Sequence, residues 1–212
     1  MFETKITFRF FADYDRSGII AFLEKMVAKG WILKSKNGVA YKFERTDKLY
    51  LKYDITYFAD ADKDNNYMPY ESREYFEIAK AAGWQFLTND RKMMIFITET
   101  PDAVSLETDP LTQVQVIHQS TIGLISLQVF IGISQIAKNI HPSKYHMLTD
   151  ILLLICGICF VANGLSYYLW YRKALKQAKE YNSYYETKTS LLTKYVMSFS
   201  LLGAIIALFK GW

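Results

Sequence analysis

Apolar and polar positions alternate in short runs over the first half of the chain, then give way to long uncharged stretches. Lys5–Phe11 alternates at period two and predicts a strand. Asp13 and Asp15 are placed to cap a helix whose apolar stripe is Ile19, Leu23, Met26 and Val27, and Gly30 is suited to end it. Trp31–Lys34 and Ala40–Glu44 predict a hairpin around Asn37–Gly38, and Tyr50–Phe58 a further strand. Glu71–Ala82 predicts a second helix, with Phe76, Ala79 and Ala82 on one face and Gly83 as its stop. Trp84–Leu87 and Met93–Thr98 predict a second hairpin around Asn89–Asp90.

These two halves repeat. Phe22-Leu23 and Ala28–Leu33 lie over Tyr75-Phe76 and Ala81–Phe86 at a constant offset of 53 residues, and Phe43 lies over Phe96. The fold class expected for residues 1–110 is α+β: a duplicated βαββ unit forming a ferredoxin-like antiparallel sheet with two helices. In that arrangement Trp31 and Trp84 are equivalent core anchors where the chain leaves each helix.

Residues 111–212 read differently. Thr100–Thr108 is a short polar connection, and Asp109-Pro110 is a helix start with an acidic cap and proline in the first turn. Leu111–Ala137 contains no Lys, Arg, Asp or Glu; Ser120–Ala137 is the expected membrane part, and the turns before it a helical neck. Ser126 and Gln128 at mid-depth are expected to face another helix. Ile151–Tyr171 runs 21 residues without a charge, roughly 31 Å of helix and about one hydrocarbon core. Tyr167, Tyr168, Trp170 and Tyr171 crowd its exit, followed by Arg172 and Lys173, as a lipid–water boundary selects. Ser190–Phe209 is a third span, with Lys194 placed to snorkel. The expectation is three transmembrane helices at about 114–138, 148–171 and 190–209.

Charge divides along the same line. Residues 1–110 carry 16 Lys/Arg against 18 Asp/Glu, and residues 111–212 carry 9 against 3. A slightly acidic first half argues against nucleic acid as a partner. Arg172, Lys173, Lys176, Lys179 and Lys188 follow the second span, whereas Lys138 and Lys144 are the cations of the preceding loop. The positive-inside rule therefore expects residues 172–189 and the N-terminal domain in the cytoplasm, and the C-terminus outside. MFETKITFRFF has charges threaded through it and is not read as a signal peptide. The lipid bilayer is the implied partner, alongside a protein at the inner membrane face and self-association through the transmembrane helices.

Candidate chemistry is sparse. Asp60, Asp62, Asp64 and Glu71 match positions 1, 3, 5 and 12 of a calcium loop, but Asn65 replaces the glycine and a strand precedes it; a solvated turn is the plainer reading. Cys156 and Cys159 share a helix face inside a span and read as packing residues. His118, His141 and His146 lie in or beside the membrane region with no partner for general-base work. No catalytic, cofactor or metal residue is assigned, and enzyme is the weaker class.

Phe10, Asp13, the run Phe22–Leu33, Ala82-Gly83-Trp84 and Glu107-Thr108-Asp109-Pro110 resemble the bacterial domain of unknown function 2812 family. The resemblance covers about residues 1–110, and Met26-Val27-Ala28-Lys29-Gly30-Trp31 is its most specific part. It implies membrane helices after the domain and, from frequent encoding beside PadR-like regulators, a regulatory or stress-response setting. It supplies no activity and hence no site residues. The architecture is also similar to GyrI-like ligand-binding domains, which implies an aromatic cleft for hydrophobic cations; Tyr41, Tyr50, Tyr53, Tyr57 and Phe58 are candidates to line it. The expected function is a membrane-anchored cytoplasmic binding or interaction domain. The alternative is a protein that sequesters a hydrophobic drug or peptide, or a membrane-associated enzyme.

Overall fold

A computed structural model describes residues 3–48, 50–58, 70–106, 109–142 and 144–189, with the side chains of 70–73 excepted. Its elements are β1 (Thr4–Phe8), α1 (Arg16–Val27), β2 (Trp31–Asn37), β3 (Ala40–Arg45), β4 (Lys52–Tyr57), α2 (Tyr70–Ala81), β5 (Gln85–Asp90), β6 (Met93–Thr98), α3 (Pro110–Asn139) and α4 (Met147–Tyr181). The fold is mixed α+β, with two antiparallel three-stranded sheets ordered β1-β3-β2 and β4-β6-β5. The chain divides into two compact units, Met1–Ser120 with Gln177–Lys188, and Thr121–Lys176 with Thr189–Trp212.

In the first unit, local chemistry sets the element ends. The Asp15 carboxylate accepts from Gly18 N at 2.9 Å and caps α1. A Cβ on Gly18 would stand 2.3 Å from that carboxylate oxygen, so the cap requires glycine there. Asp13, the other expected cap, instead accepts from Arg91 at 2.9 and 3.1 Å. Both helices stop at a glycine in the left-handed region, Gly30 (φ 76°) and Gly83 (φ 85°), where a Cβ would be strained.

The halves share more than element order. β3 starts at Ala40 and β6 at Met93, and the bulge between Leu33 and Ser35 of β2 recurs between Phe86 and Thr88 of β5. Each hairpin closes through two residues, the first with positive φ: Gly38 (54°) and Arg91 (52°). The second turn is therefore Arg91-Lys92, and Asn89–Asp90, expected as the turn, ends β5. Arginine carries no turn signal, which is why the sequence pattern placed the reversal two residues early.

Trp31 and Trp84 part company. Trp84 is 3% exposed, packed with Ala79, Met94, Phe96 and Leu106, and donates Nε1–H to Val104 O at 2.8 Å. Trp31 is only half-buried and lies under two cations, Lys5 Nζ at 5.4 Å and Arg45 Cζ at 5.0 Å from its ring centroid. The expectation of two core anchors is corrected: repetition placed both indoles after a helix stop, but only the second half closes over its own. The first half is filled instead by Ile19, Leu23, Leu33, Tyr41 and Phe43, with Phe22 edge-on to Tyr41 at 5.2 Å.

β2 lies against β5, and α1 packs on both β2 and β4, so the halves share one core. An ion pair closes that junction: Lys36 of β2 and Asp90 of β5 are in contact with side chains 4% and 6% exposed. Asp90 also accepts from Gly38 N at 3.1 Å.

Within the second unit, α3 and α4 approach closely where small residues meet. A Cβ on Gly132 would lie 2.8 Å from Gly157 O, and one on Gly157 2.8 Å from Gly132 O. Gly164 receives Val129 in the same way. Asn163 donates Nδ2–H to Gln128 Oε1 at 3.0 Å, so Gln128 does face a helix, whereas Ser126 is exposed. Away from this seam the surface is apolar, with Leu124, Phe130, Ile158 and Leu165 all more than half exposed. Both helices are long and apolar enough to cross a membrane, and 17% and 39% of their most apolar stretches are buried; a soluble core helix is mostly buried. Two such helices, not three, stand among the described residues, because the expected third span at 190–209 lies outside them. α4 also continues to Tyr181, so most of the basic stretch expected as a loop is helix. Arg172, Lys173, Lys176 and Lys179 are good helix formers and nothing after Tyr171 interrupts the backbone ladder.

Two predictions follow from these packings. In denaturant unfolding of the detergent-solubilised full chain, Trp84→Ala is expected to cost about 3–5 kcal/mol, the range for a buried large aromatic. Trp31→Ala should cost less than about 1 kcal/mol, the scale of an exposed cation–π contact; equal losses would restore the two-anchor reading. In the second unit, Gly157→Ile should destabilise the helix pair in an SDS titration by more than Asn163→Ala, whose interhelical hydrogen bond is worth about 0.6–1.7 kcal/mol.

Candidate functional site

The first unit carries a cleft of about 400 Å³ lined by α1, β4, Trp84, Ala103, Ser105 and Glu186. At its floor is an acid that the strand pattern does not call for. Asp54 lies in β4 between Tyr53 and Ile55 and is 2% exposed. Its Oδ1 accepts from Arg16 Nη2 and from Ile55 N, the latter at 2.7 Å; its Oδ2 accepts from Ser105 Oγ at 2.8 Å and Leu106 N at 2.6 Å. Arg16 Nη2 also reaches Ser105 Oγ at 2.9 Å.

Four donors on one buried carboxylate compensate its removal from water. Burial works to lower the Arg16 pKa, but Asp54 and, more weakly, Glu186 outweigh it and raise it, so the cation persists. With both oxygens committed, Asp54 has no lone pair directed at a substrate. Its role is to clasp β4, the first turn of α1 and the segment that leads into α3.

The rest of the lining is less constrained. Lys52 Nζ donates to Ala103 O at 3.1 Å. Glu24 and Glu186 have no ion pair among the described residues. Tyr53 and Trp84, each 3% exposed, are the aromatic residues of the lining. The lining therefore holds three carboxylates against two cations, with one carboxylate already taken by Arg16. Acids in excess of cations, with aromatic residues in the same lining, suit a small cation carrying an apolar group.

Of the aromatics expected to line a cleft, only Tyr53 does so. Tyr41 and Tyr57 are buried in the core, Tyr50 is 55% exposed, and Phe58 meets Tyr75 edge-on at 4.6 Å. Alternation along a strand shows which residues share a face but not which face meets the core. The calcium-like loop falls on residues 59–69 and the side chains of 70–73, outside the described ones. His141 and His146 are exposed beyond α3, His118 lies within α3, and Cys156 and Cys159 lie in α4 without a disulfide. His118, the histidine of the first unit, is not among the lining residues. Sequence reasoning missed Arg16, Asp54, Ser105, Glu24 and Glu186. Two signals pointed there: an acid inside an apolar strand, and an arginine in the first turn of α1, where the helix dipole disfavours a cation.

Burial pushes the Tyr53 phenol up to about 12. A phenol raised above its unfolded value stays neutral in the folded chain while it ionises in the unfolded one. Its stabilising contribution is complete below pH about 10 and lost as the pH rises through about 12. Unfolding midpoints of the full chain should therefore fall between those pH values, and Tyr53→Phe should make the fall shallower; an identical slope would place Tyr53 in water.

No curated protein and no solved structure matches the chain. Residues 17–129 match the family described as "Protein of unknown function (DUF2812)", a span running from the first turn of α1, through β2 to β6, into α3; it includes the cleft lining apart from Arg16 and Glu186. That match covers more than half of the sequence, and the chain belongs to this family.

Proposed function

We propose that the protein is a membrane-anchored binding module that takes a small amphipathic cation in the cleft above Asp54. The carrying observation is that two carboxylates in no ion pair among the described residues, Glu24 and Glu186, line one cleft with Tyr53 and Trp84. A regulatory or stress-related role fits a binder that holds its ligand without a reacting group. Protein docking is the second reading: among the described residues β1 pairs only with β3, and Ile6 and Phe8 on it are 60% and 68% exposed, so an extended segment of a partner could add to that edge.

The anchor in this proposal is α3, α4 and the apolar run 190–209, with the first unit in the cytoplasm and the C-terminus outside. Support comes from Arg172, Lys173, Lys176 and Lys179, all exposed at the end of α4, against the two lysines near the α3–α4 connection. Self-association through the exposed apolar rows of these helices is part of the same reading. We also infer that the halves are copies of one βαββ unit in a ferredoxin-like or GyrI-like arrangement. The shared bulge, helix-stop glycines and positive-φ hairpin residues support it.

Two experiments test these readings. Full-length protein in nanodiscs should bind 2-phenylethylamine and not the neutral 2-phenylethanol in calorimetry, and Glu24→Gln with Glu186→Gln should abolish the difference; equal binding of both probes would remove the cation assignment. With Cys156 and Cys159 replaced by Ala, Tyr145→Cys should be labelled from outside intact cells and Tyr181→Cys only after permeabilisation. The reverse pattern would invert the orientation.

A further inference from the structure

Strand β1 is an outer strand: among the described residues it pairs with β3 alone, across Thr4–Phe8. Arg9 N donates to Val39 O at 2.9 Å, and Glu3 O accepts from Arg45 N at 3.1 Å, so the odd-numbered residues turn their backbone groups toward β3. Addressing alternates along an antiparallel ladder, which leaves the N–H and C=O of Thr4, Ile6 and Phe8 pointing outward. Lys5 and Thr7 pair with Phe43 and Tyr41, whose rings meet Phe22 of α1, so Thr4, Ile6 and Phe8 lie on the opposite sheet face. Ile6 and Phe8 are 60% and 68% exposed there. Charged side chains commonly guard such an edge. Here Lys5 and Arg9 lie over the Trp31 and Phe22 rings instead.

We propose that a second copy of this chain covers the edge, its β1 pairing antiparallel about a two-fold axis through Ile6. This rests on the docking reading of β1 above and names its partner. A two-fold normal to the sheet keeps each face on its own side, so every allowed register is centred on one residue. Centring on Lys5 opposes two ammonium groups, and centring on Thr7 sets Lys5 against the partner's Arg9; like charges directly opposite are destabilising. Centring on Thr4 or Phe8, an end of β1, forfeits most of the overlap. Centring on Ile6 pairs all of Thr4–Phe8 and brings Glu3 opposite the partner's Arg9 on both sides of the axis. Arg9 is exposed and in no ion pair among the described residues. Glu3 holds a loose, exposed contact with Arg45 at 3.6 Å, which it can exchange at little cost. The outward backbone groups of Ile6 then bond their counterparts in the partner, and the Ile6 and Phe8 side chains of both copies form one apolar cluster.

Disulfide trapping of the full-length chain in intact membranes tests this, with Cys156→Ala and Cys159→Ala as background. Ile6→Cys should give a thiol-reversible dimer on oxidation, since the Cα atoms of a hydrogen-bonded pair stand about 5.5 Å apart, within disulfide reach. Phe8→Cys should give none, because the two Phe8 positions are offset by four residues, roughly 13 Å. Equal dimer from both would report collision, or association through the membrane-length helices, and would overturn the β1 interface. Glu3→Arg should suppress the Ile6→Cys dimer, and adding Arg9→Glu should restore it; failure of that rescue overturns the Ile6-centred pairing. Photocrosslinking from p-benzoylphenylalanine in place of Phe8 separates the proposal from the docking reading beneath it. An adduct of two copies supports the pairing. An adduct with a different protein overturns the second copy and leaves the docking reading standing, whereas no adduct removes both.

Discussion

The burial of Asp54 constrains the first unit more than any single apolar contact. An ionised carboxylate taken from water costs several kcal/mol unless its oxygens are satisfied, and here the donors come from three places far apart in sequence: Arg16, Ile55 and the pair Ser105–Leu106. Helix α1, strand β4 and the approach to α3 must therefore arrive together. Losing one partner would strand a charge in the interior. The cleft is lined by residues of α1 and β4 beside this clasp.

The same logic recurs wherever the halves meet. Arg16–Asp54, Lys36–Asp90 and Arg91–Asp13 each join a residue of the first half to one of the second. Two of these pairs have at least one partner almost fully buried. Apolar faces of two similar βαββ halves are interchangeable, so burial alone does not specify which surface meets which. Directional ion pairs at fixed positions do, at some cost in stability. The contrast between Trp84, sealed in its half, and Trp31, roofed by Lys5 and Arg45, shows how far similar backbones have parted in what they pack.

In the second unit the organising term is close backbone approach. Lipid tails are as apolar as leucine, so helices gain from packing and hydrogen bonds instead of from leaving water. Gly132 and Gly157 allow each backbone to touch the other, and Gln128–Asn163 places the polar groups in the seam. The outward rows, rich in Leu, Ile and Phe, stay exposed.

What the sequence determined by itself was whatever depends on near neighbours. Asp15 and Asp109 as caps, Gly30 and Gly83 as stops, Met93–Thr98 as a strand and two helices built around long uncharged stretches follow from propensity and periodicity acting over a few residues. The second hairpin escaped because Arg91 takes a backbone conformation that its type does not advertise. Only the tertiary structure decided the fate of the tryptophans, the faces of Tyr41, Tyr50 and Tyr53, and the meeting of Arg16, Asp54, Ser105 and Glu186. The physical reason is that burial and charge pairing are settled between residues tens of positions apart, such as Arg16 and Ser105. Each alone reads as an ordinary polar surface residue until the chain brings them together.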